Sequence, residues 1–119
     1  MIWVKWSSLL MFLAVGLGAF GTHALKTRIS EYHLEIYKTG ILYHMIHAMG
    51  LLGLAWFSTI CSDPKVSWSA VCFITGIVLF SGSLYLFAVS GKGWLGFITP
   101  FGGLSFLLGW LILFLCSYK

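Results

Sequence analysis

The chain has 119 residues, of which 60% are hydrophobic and only 8% charged, with a net charge of +4. A soluble domain carries about 25% charged residues, and one this small could not bury so much apolar side chain, so the composition points to an integral membrane protein. The basic residues stand singly near the ends of apolar runs, as interfacial anchors do, and form no patch suited to nucleic acid.

A membrane-spanning helix needs about 20 mostly apolar residues. The first such run covers residues 4–25, with Trp3 and Trp6 at its outer end as an aromatic belt. The apolar run continues past Ala19 to Leu25, so it reads as an uncleaved span rather than a signal peptide. Residues 26–38, KTRISEYHLEIYK, follow. Ile29, Tyr32 and Ile36 share one helical face there, which predicts a short amphipathic connector lying at the membrane surface.

The second span covers 39–60, with Trp56 near its exit, and Asp63-Pro64 supplies a turn and helix start. The third covers 66–89 and is closed by Ser90-Gly91-Lys92-Gly93. In the fourth, Thr99-Pro100 is a sound helix start, so the span covers 100–118 and residues 94–98 form a short interfacial or re-entrant piece. The expected fold is all-α: a polytopic membrane protein with four transmembrane helices in an up-down bundle, one domain over 1–119, both termini on one side. Lys5, Lys65 and Lys119 lie on that side against Lys26, Arg28, Lys38 and Lys92 on the other. The positive-inside rule then leans only weakly to a cytoplasmic connector.

Membrane helices associate by close backbone approach. Each span offers small residues for this: Ala14, Gly18 and Thr22; Gly50 and Gly53; Gly76, Ser81, Gly82 and Ser83; Gly102, Gly103, Ser105 and Gly109. The serines are expected to bond to backbone within their own helices, and leftover small-residue faces to support self-association. Cys72 and Cys116 read as small packing residues, and Cys61 falls at a span end.

Chemistry could come from four histidines, His23, His33, His44 and His47. Counting from the expected span ends puts all four in the connector-side half of the membrane. Three roles compete: packing through hydrogen bonds; ligation of a metal or haem iron by His23, His44 and His47, with Glu31 or Glu35; and a proton or small-ligand relay with Tyr37 and Tyr43. Glu31, Glu35 and Asp63 are the only acidic residues, and the sequence has no phosphate loop and no H-E-x-x-H. A conventional enzyme is not expected.

Four stretches resemble a known family: LGAFGTHALK at 17–26, YHMIHAMGLLGL at 43–54, FSGSLYLFAVSG at 80–91 and GFITPFGGLSFLLGW at 96–110. They resemble the small bacterial membrane proteins grouped as domain-of-unknown-function family 423. The residues that carry over are Gly18, Ala19, Gly21, His23, Ala24, His47, Ser81, Gly82, Ser83, Tyr85, Thr99, Pro100, Gly102, Gly103, Gly109 and Trp110. His44 sits where relatives vary more. The resemblance implies a four-span protein of the bacterial inner membrane, rather than the mitochondrial one, and supplies no activity. It groups His23, His47, Ser81, Ser83, Tyr85 and Thr99 as a candidate binding pocket on the connector side, without specifying a metal or cofactor.

The leading expectation is a structural or accessory component, in contact with membrane lipids and forming a homo-oligomer or part of a larger complex. Two alternatives stand beside it: a binder of metal, haem, quinone or lipid through that pocket, and a proton-coupled channel or carrier working as an oligomer.

Overall fold

The structure, a computed structural model, describes residues 1–117. Four helical stretches are long and apolar enough to cross a membrane: Ile2–Leu25, Glu31–Phe57, Lys65–Ser90 and Gly93–Phe114. Among the described residues there is no strand. Helix α1 (Ile2–Phe20) runs on through a π-helical turn, Gly21–Leu25. Helix α2 is Glu31–Phe57. The third span is α3 (Lys65–Gly76), a π-helical turn (Ile77–Ser81) and α4 (Gly82–Ser90) in one continuous course. A 3-10 turn, Gly93–Phe97, then leads into α5 (Thr99–Phe114), which carries its proline in the first turn.

The surface connector expected over 26–38 is not a separate helix. Only residues 26–30 link the spans, and Glu31 to Lys38 are the opening turns of α2. Ser30 caps them: its Oγ accepts from the backbone N–H of His33 at 3.2 Å and lies 2.7 Å from His33 Nδ1. Glu31 in the first turn complements the helix dipole. With 27 residues, α2 is roughly 40 Å long against roughly 30 Å of hydrocarbon. Its charged opening turns can therefore stand clear of the apolar layer.

This length also spaces the histidines along the helix. His23 and His33 stay at the connector end, but His44 and His47 lie roughly 20 and 24 Å along α2 from Glu31. Counted from Lys38, where the charged turns end, the same two residues lie roughly 9 and 14 Å along the helix.

Contact pairs give the topology. Helix α1 packs antiparallel on α2, with Ser7 meeting Ala48 at one end and Leu17 meeting Tyr37 at the other. The α3–α4 span packs antiparallel on both α2 and α5. Helices α2 and α5 run in the same direction where Tyr43, His47, Phe106 and Trp110 meet.

The main core gathers Leu10, Ala48, Leu51, Phe73, Ile77 and Phe106. A smaller one at the connector end gathers Leu25, Tyr37 and Ala88. Glycine lets α5 approach the third span most closely at Gly102, where an added Cβ would lie 2.7 Å from the Cα of Phe80 in the π-helical turn.

On the terminal side, Asp63 clasps two segments. Its Oδ1 accepts from the N–H of Lys65 at 3.0 Å and its Oδ2 from the N–H of Ser117 at 2.9 Å. These bonds, with Lys65 alongside, hold the carboxyl below the usual aspartate range. Cys61 is buried there, its thiol donating to the carbonyl of Ser117 at 3.6 Å.

Candidate functional site

Serine, tyrosine, histidine and tryptophan side chains inside the spans mostly reach across to another helix. Ser7 Oγ donates to the carbonyl of Ala48 at 2.8 Å, Ser81 Oγ to Gly40 at 2.7 Å, Ser69 Oγ to Gly109 at 2.7 Å and Ser105 Oγ to Cys72 at 2.7 Å. The Tyr37 hydroxyl donates to the carbonyl of Leu17. This departs from the expectation of bonding within each helix, which describes Thr22, Thr39, Ser58 and Ser90 instead. The buried serines sit at helix–helix seams, where small neighbours bring a foreign carbonyl within reach of a one-carbon side chain.

His44 and His47 have different environments. His47 is buried against Phe106, their rings stacked with centroids 3.6 Å apart and planes 8° from parallel. Its Nδ1 donates to the carbonyl of Tyr43 at 2.8 Å, and its Nε2 accepts from the indole N–H of Trp110 at 3.0 Å. An indole N–H only donates, so Nε2 carries a lone pair and the imidazole is neutral. Both nitrogens are engaged.

His44 is also buried, its Nδ1 2.8 Å from the hydroxyl of Tyr85. Its Nε2 is buried without a partner in hydrogen-bond geometry, although the carbonyl of Leu10 on α1 lies on that side. The residue discounted on resemblance is therefore as fully enclosed as the favoured one.

The six residues expected to form one connector-side pocket are dispersed. His23 is exposed at the π-helical turn ending the first span. His47 bonds Trp110, Ser81 bonds Gly40, and Tyr85 bonds His44. Only Ser83 and Thr99 meet, their hydroxyls 2.6 Å apart, with Ser83 also donating to the carbonyl of Phe80. Among the described residues no group of three His, Cys, Asp or Glu side chains could hold a metal ion.

What sequence reasoning missed is the partner set of His47. Trp110 and Phe106 lie far away in the chain, and only the pairing of α2 with α5 brings them in. Beside them, α2, the π-helical turn Ile77–Ser81 and α5 frame an open groove of about 670 Å³, lined by Tyr43, His47, Phe80, Pro100, Leu104 and Trp110 among others.

Four antiparallel apolar spans held together by internal polar bonds define a small multi-pass membrane protein. The chain belongs to the family described as "Protein of unknown function (DUF423)", whose model matches residues 17–103. It is 43% identical over 108 residues to the UPF0382 membrane protein YwdK of Bacillus subtilis, covering 90% of this chain and 88% of that one. It is 41% identical over 107 residues to a UPF0382 membrane protein of Staphylococcus epidermidis, covering 90% and 87%. To the UPF0382 inner membrane protein YgdD of Escherichia coli it is 40% identical over 106 residues, covering 86% and 78%. No solved structure matches the chain.

Proposed function

We propose that this protein is a structural or accessory component of the bacterial inner membrane, working through its outer helix faces by self-association or by docking in a larger complex. One observation carries this reading: inside the spans, polar side chains are tied to neighbouring helices and do not converge on a reaction centre. Ser7, Tyr37, His47, Ser69, Ser81 and Ser105 each bond another helix. The first and last spans bury only 22% and 17% of their apolar windows, against 39% for α2. Their outer faces are free to meet lipid or protein. The Escherichia coli relative is named an inner membrane protein, which supports the location.

The test is extraction of the native protein in lipid-preserving polymer, followed by mass measurement of the intact particle. A homo-oligomer or a stoichiometric partner is expected. A monodisperse monomer with no co-purifying protein overturns the reading.

The binder reading through His23, His47, Ser81, Ser83, Tyr85 and Thr99 has no shared cavity behind it.

A further inference from the structure

Cys61, Cys72 and Cys116 are all free thiols. Cys72 lies about two turns inside α3. Cys61 and Cys116 instead flank the Asp63 clasp at the terminal end, one just beyond α2 and the other just beyond α5. The backbone next to Cys116 is docked on the loop at 61–63 by two bonds. The Ser117 N–H donates to Asp63 Oδ2 at 2.9 Å, and the Ser117 carbonyl accepts from the Cys61 thiol at 3.6 Å. The Cys61 sulfur thus reaches the residue adjoining Cys116. Cys116 in turn packs against the apolar cluster that holds Cys61 and Val66. Burial first, then the Asp63 carboxylate and the Cys61 thiol, hold the Cys116 thiol above the usual cysteine range, with Lys65 opposing. The two thiols are therefore near enough to influence one another's ionisation.

A disulfide needs its Cα atoms within about 4.4–6.8 Å. Cys116 and Ser117 lie beyond the last helical turn, so Cys116 can turn toward Cys61 without disturbing α5. Reagents have a route as well. An open cleft of about 330 Å³ is lined by Cys61, Ser62, Asp63 and Ser117 among others, and the carboxylate on its wall makes it a cleft for water rather than for acyl chains. Cys116 itself is half-buried.

We propose that Cys61 and Cys116 form a reversible disulfide that locks the end of the fourth span to the loop between the second and third. The oxidant is another disulfide, on a small molecule or a protein. The half-buried Cys116 loses its proton and attacks that S–S bond, which releases one thiol and leaves a mixed disulfide. Cys61 then loses its proton and attacks the Cys116 sulfur, which releases the second thiol. The pair gives up two electrons and two protons, and the oxidant takes them as its S–S bond becomes two thiols. The new bond closes a loop containing the whole third and fourth spans, which restricts the unfolded chain. The lean of the basic residues toward a cytoplasmic connector turns this end outward, where disulfides form and persist. This goes beyond the structural role and does not depend on the oligomeric state.

The test uses the full chain in nanodiscs of phosphatidylethanolamine and phosphatidylglycerol, equilibrated with reduced and oxidised glutathione, quenched in acid, unfolded, alkylated and digested. Mass spectrometry should recover the Cys61 and Cys116 peptides joined by a disulfide, with Cys72 alkylated. Dithiothreitol should restore both thiols. The oxidised protein should need more SDS to unfold than the reduced one, and Cys61→Ala should abolish that difference.

Glutathione adducts on Cys116 without the joined peptide mean that the thiols cannot meet, and overturn the proposal. Two free thiols at the most oxidising ratio overturn it too, as does a joined peptide found only in covalent dimers. An SDS midpoint unchanged by oxidation refutes the lock. If Cys61→Ala fails to fold, the wild type decides: a midpoint shift that dithiothreitol reverses supports the lock, and one that persists after reduction refutes it.

Discussion

Substituting Gly102 by alanine should separate α5 from the third span at its π-helical turn. The new Cβ would lie 2.7 Å from both the Cα and the Cβ of Phe80, and nearer still to its backbone nitrogen. Carbon atoms in good contact stand about 3.5–4.0 Å apart, so the helices must part locally by about 1 Å. The obstacle is backbone inside a continuous span, and no rotamer change removes it. At the same level Ser83 and Thr99 share a hydrogen bond of 2.6 Å. Opened by about 1 Å it passes the roughly 3.0 Å limit for hydroxyl pairs.

Overpacking costs about 1–3 kcal/mol, and a lost interhelical bond in a membrane about 0.6 and up to about 1.7 kcal/mol. Together these predict a destabilisation of about 2–4 kcal/mol. Gly53→Ala is the matched control, because nothing lies within 4 Å of a Cβ there. The assay is reversible unfolding by SDS in mixed micelles, reading tryptophan fluorescence, with both variants beside the wild type. Equal midpoints for Gly102→Ala and Gly53→Ala would refute the inference that close backbone approach at this seam holds the fourth span.

Three further outcomes are expected. Trp110→Phe removes the donor to His47 Nε2 and should cost about 0.6–1.7 kcal/mol; in a double-mutant cycle with His47→Phe, additivity would show that the bond contributes nothing. Ser69→Ala, which loses the bond to Gly109 and little else in volume, should destabilise by a similar amount, and an unchanged midpoint counts against the serine-to-carbonyl ties. The Asp63 clasp should respond to acid. Its carboxyl is held low mainly by the Lys65 and Ser117 amides, so its contribution is fully present above the ordinary aspartate value of about 3.9 and is lost as pH falls through the lowered folded value. The amide resonance of Ser117 should therefore titrate with a midpoint below about 3.9, and a midpoint at or above that value contradicts the clasp.

Hydropathy made the four spans legible, because a long apolar run admits few alternatives. The start of α2 was obscured by the same measure. Glu31, Glu35 and Lys38 lower the hydropathy of turns that are continuous with the span, although Ser30 followed by Glu31 was a readable cap. The polar partners were illegible for a different reason. Helical phase tells which residues share a face, but not which helix that face meets or at what height. Trp110 could be assigned to His47 only once α2 and α5 were known to run in the same direction. Likewise Ser69 and Ser105 look alike in sequence to Ser90, yet two of them bond across a seam and the third bonds its own helix.

The placement of these cross-helix bonds bears on how one register is selected among many. Lipid-facing and protein-facing apolar side chains differ little in energy within a bilayer, so apolar contact alone discriminates weakly between a helix pair and the same pair slipped by a turn. Consider α5 displaced by one turn along the third span. Ser69 would lose Gly109, Ser105 would lose Cys72 and Thr99 would lose Ser83 together. The Phe106 ring would leave the space opened by Gly76, and Phe80 the space opened by Gly102. Each bond is weak singly, but a slip forfeits them in concert and adds steric conflict, which widens the gap to the nearest competing arrangement. His47 does the same between α2 and α5, since its two nitrogens are satisfied only when Trp110 stands at its level. A buried histidine with both nitrogens engaged is thus accounted for by register alone.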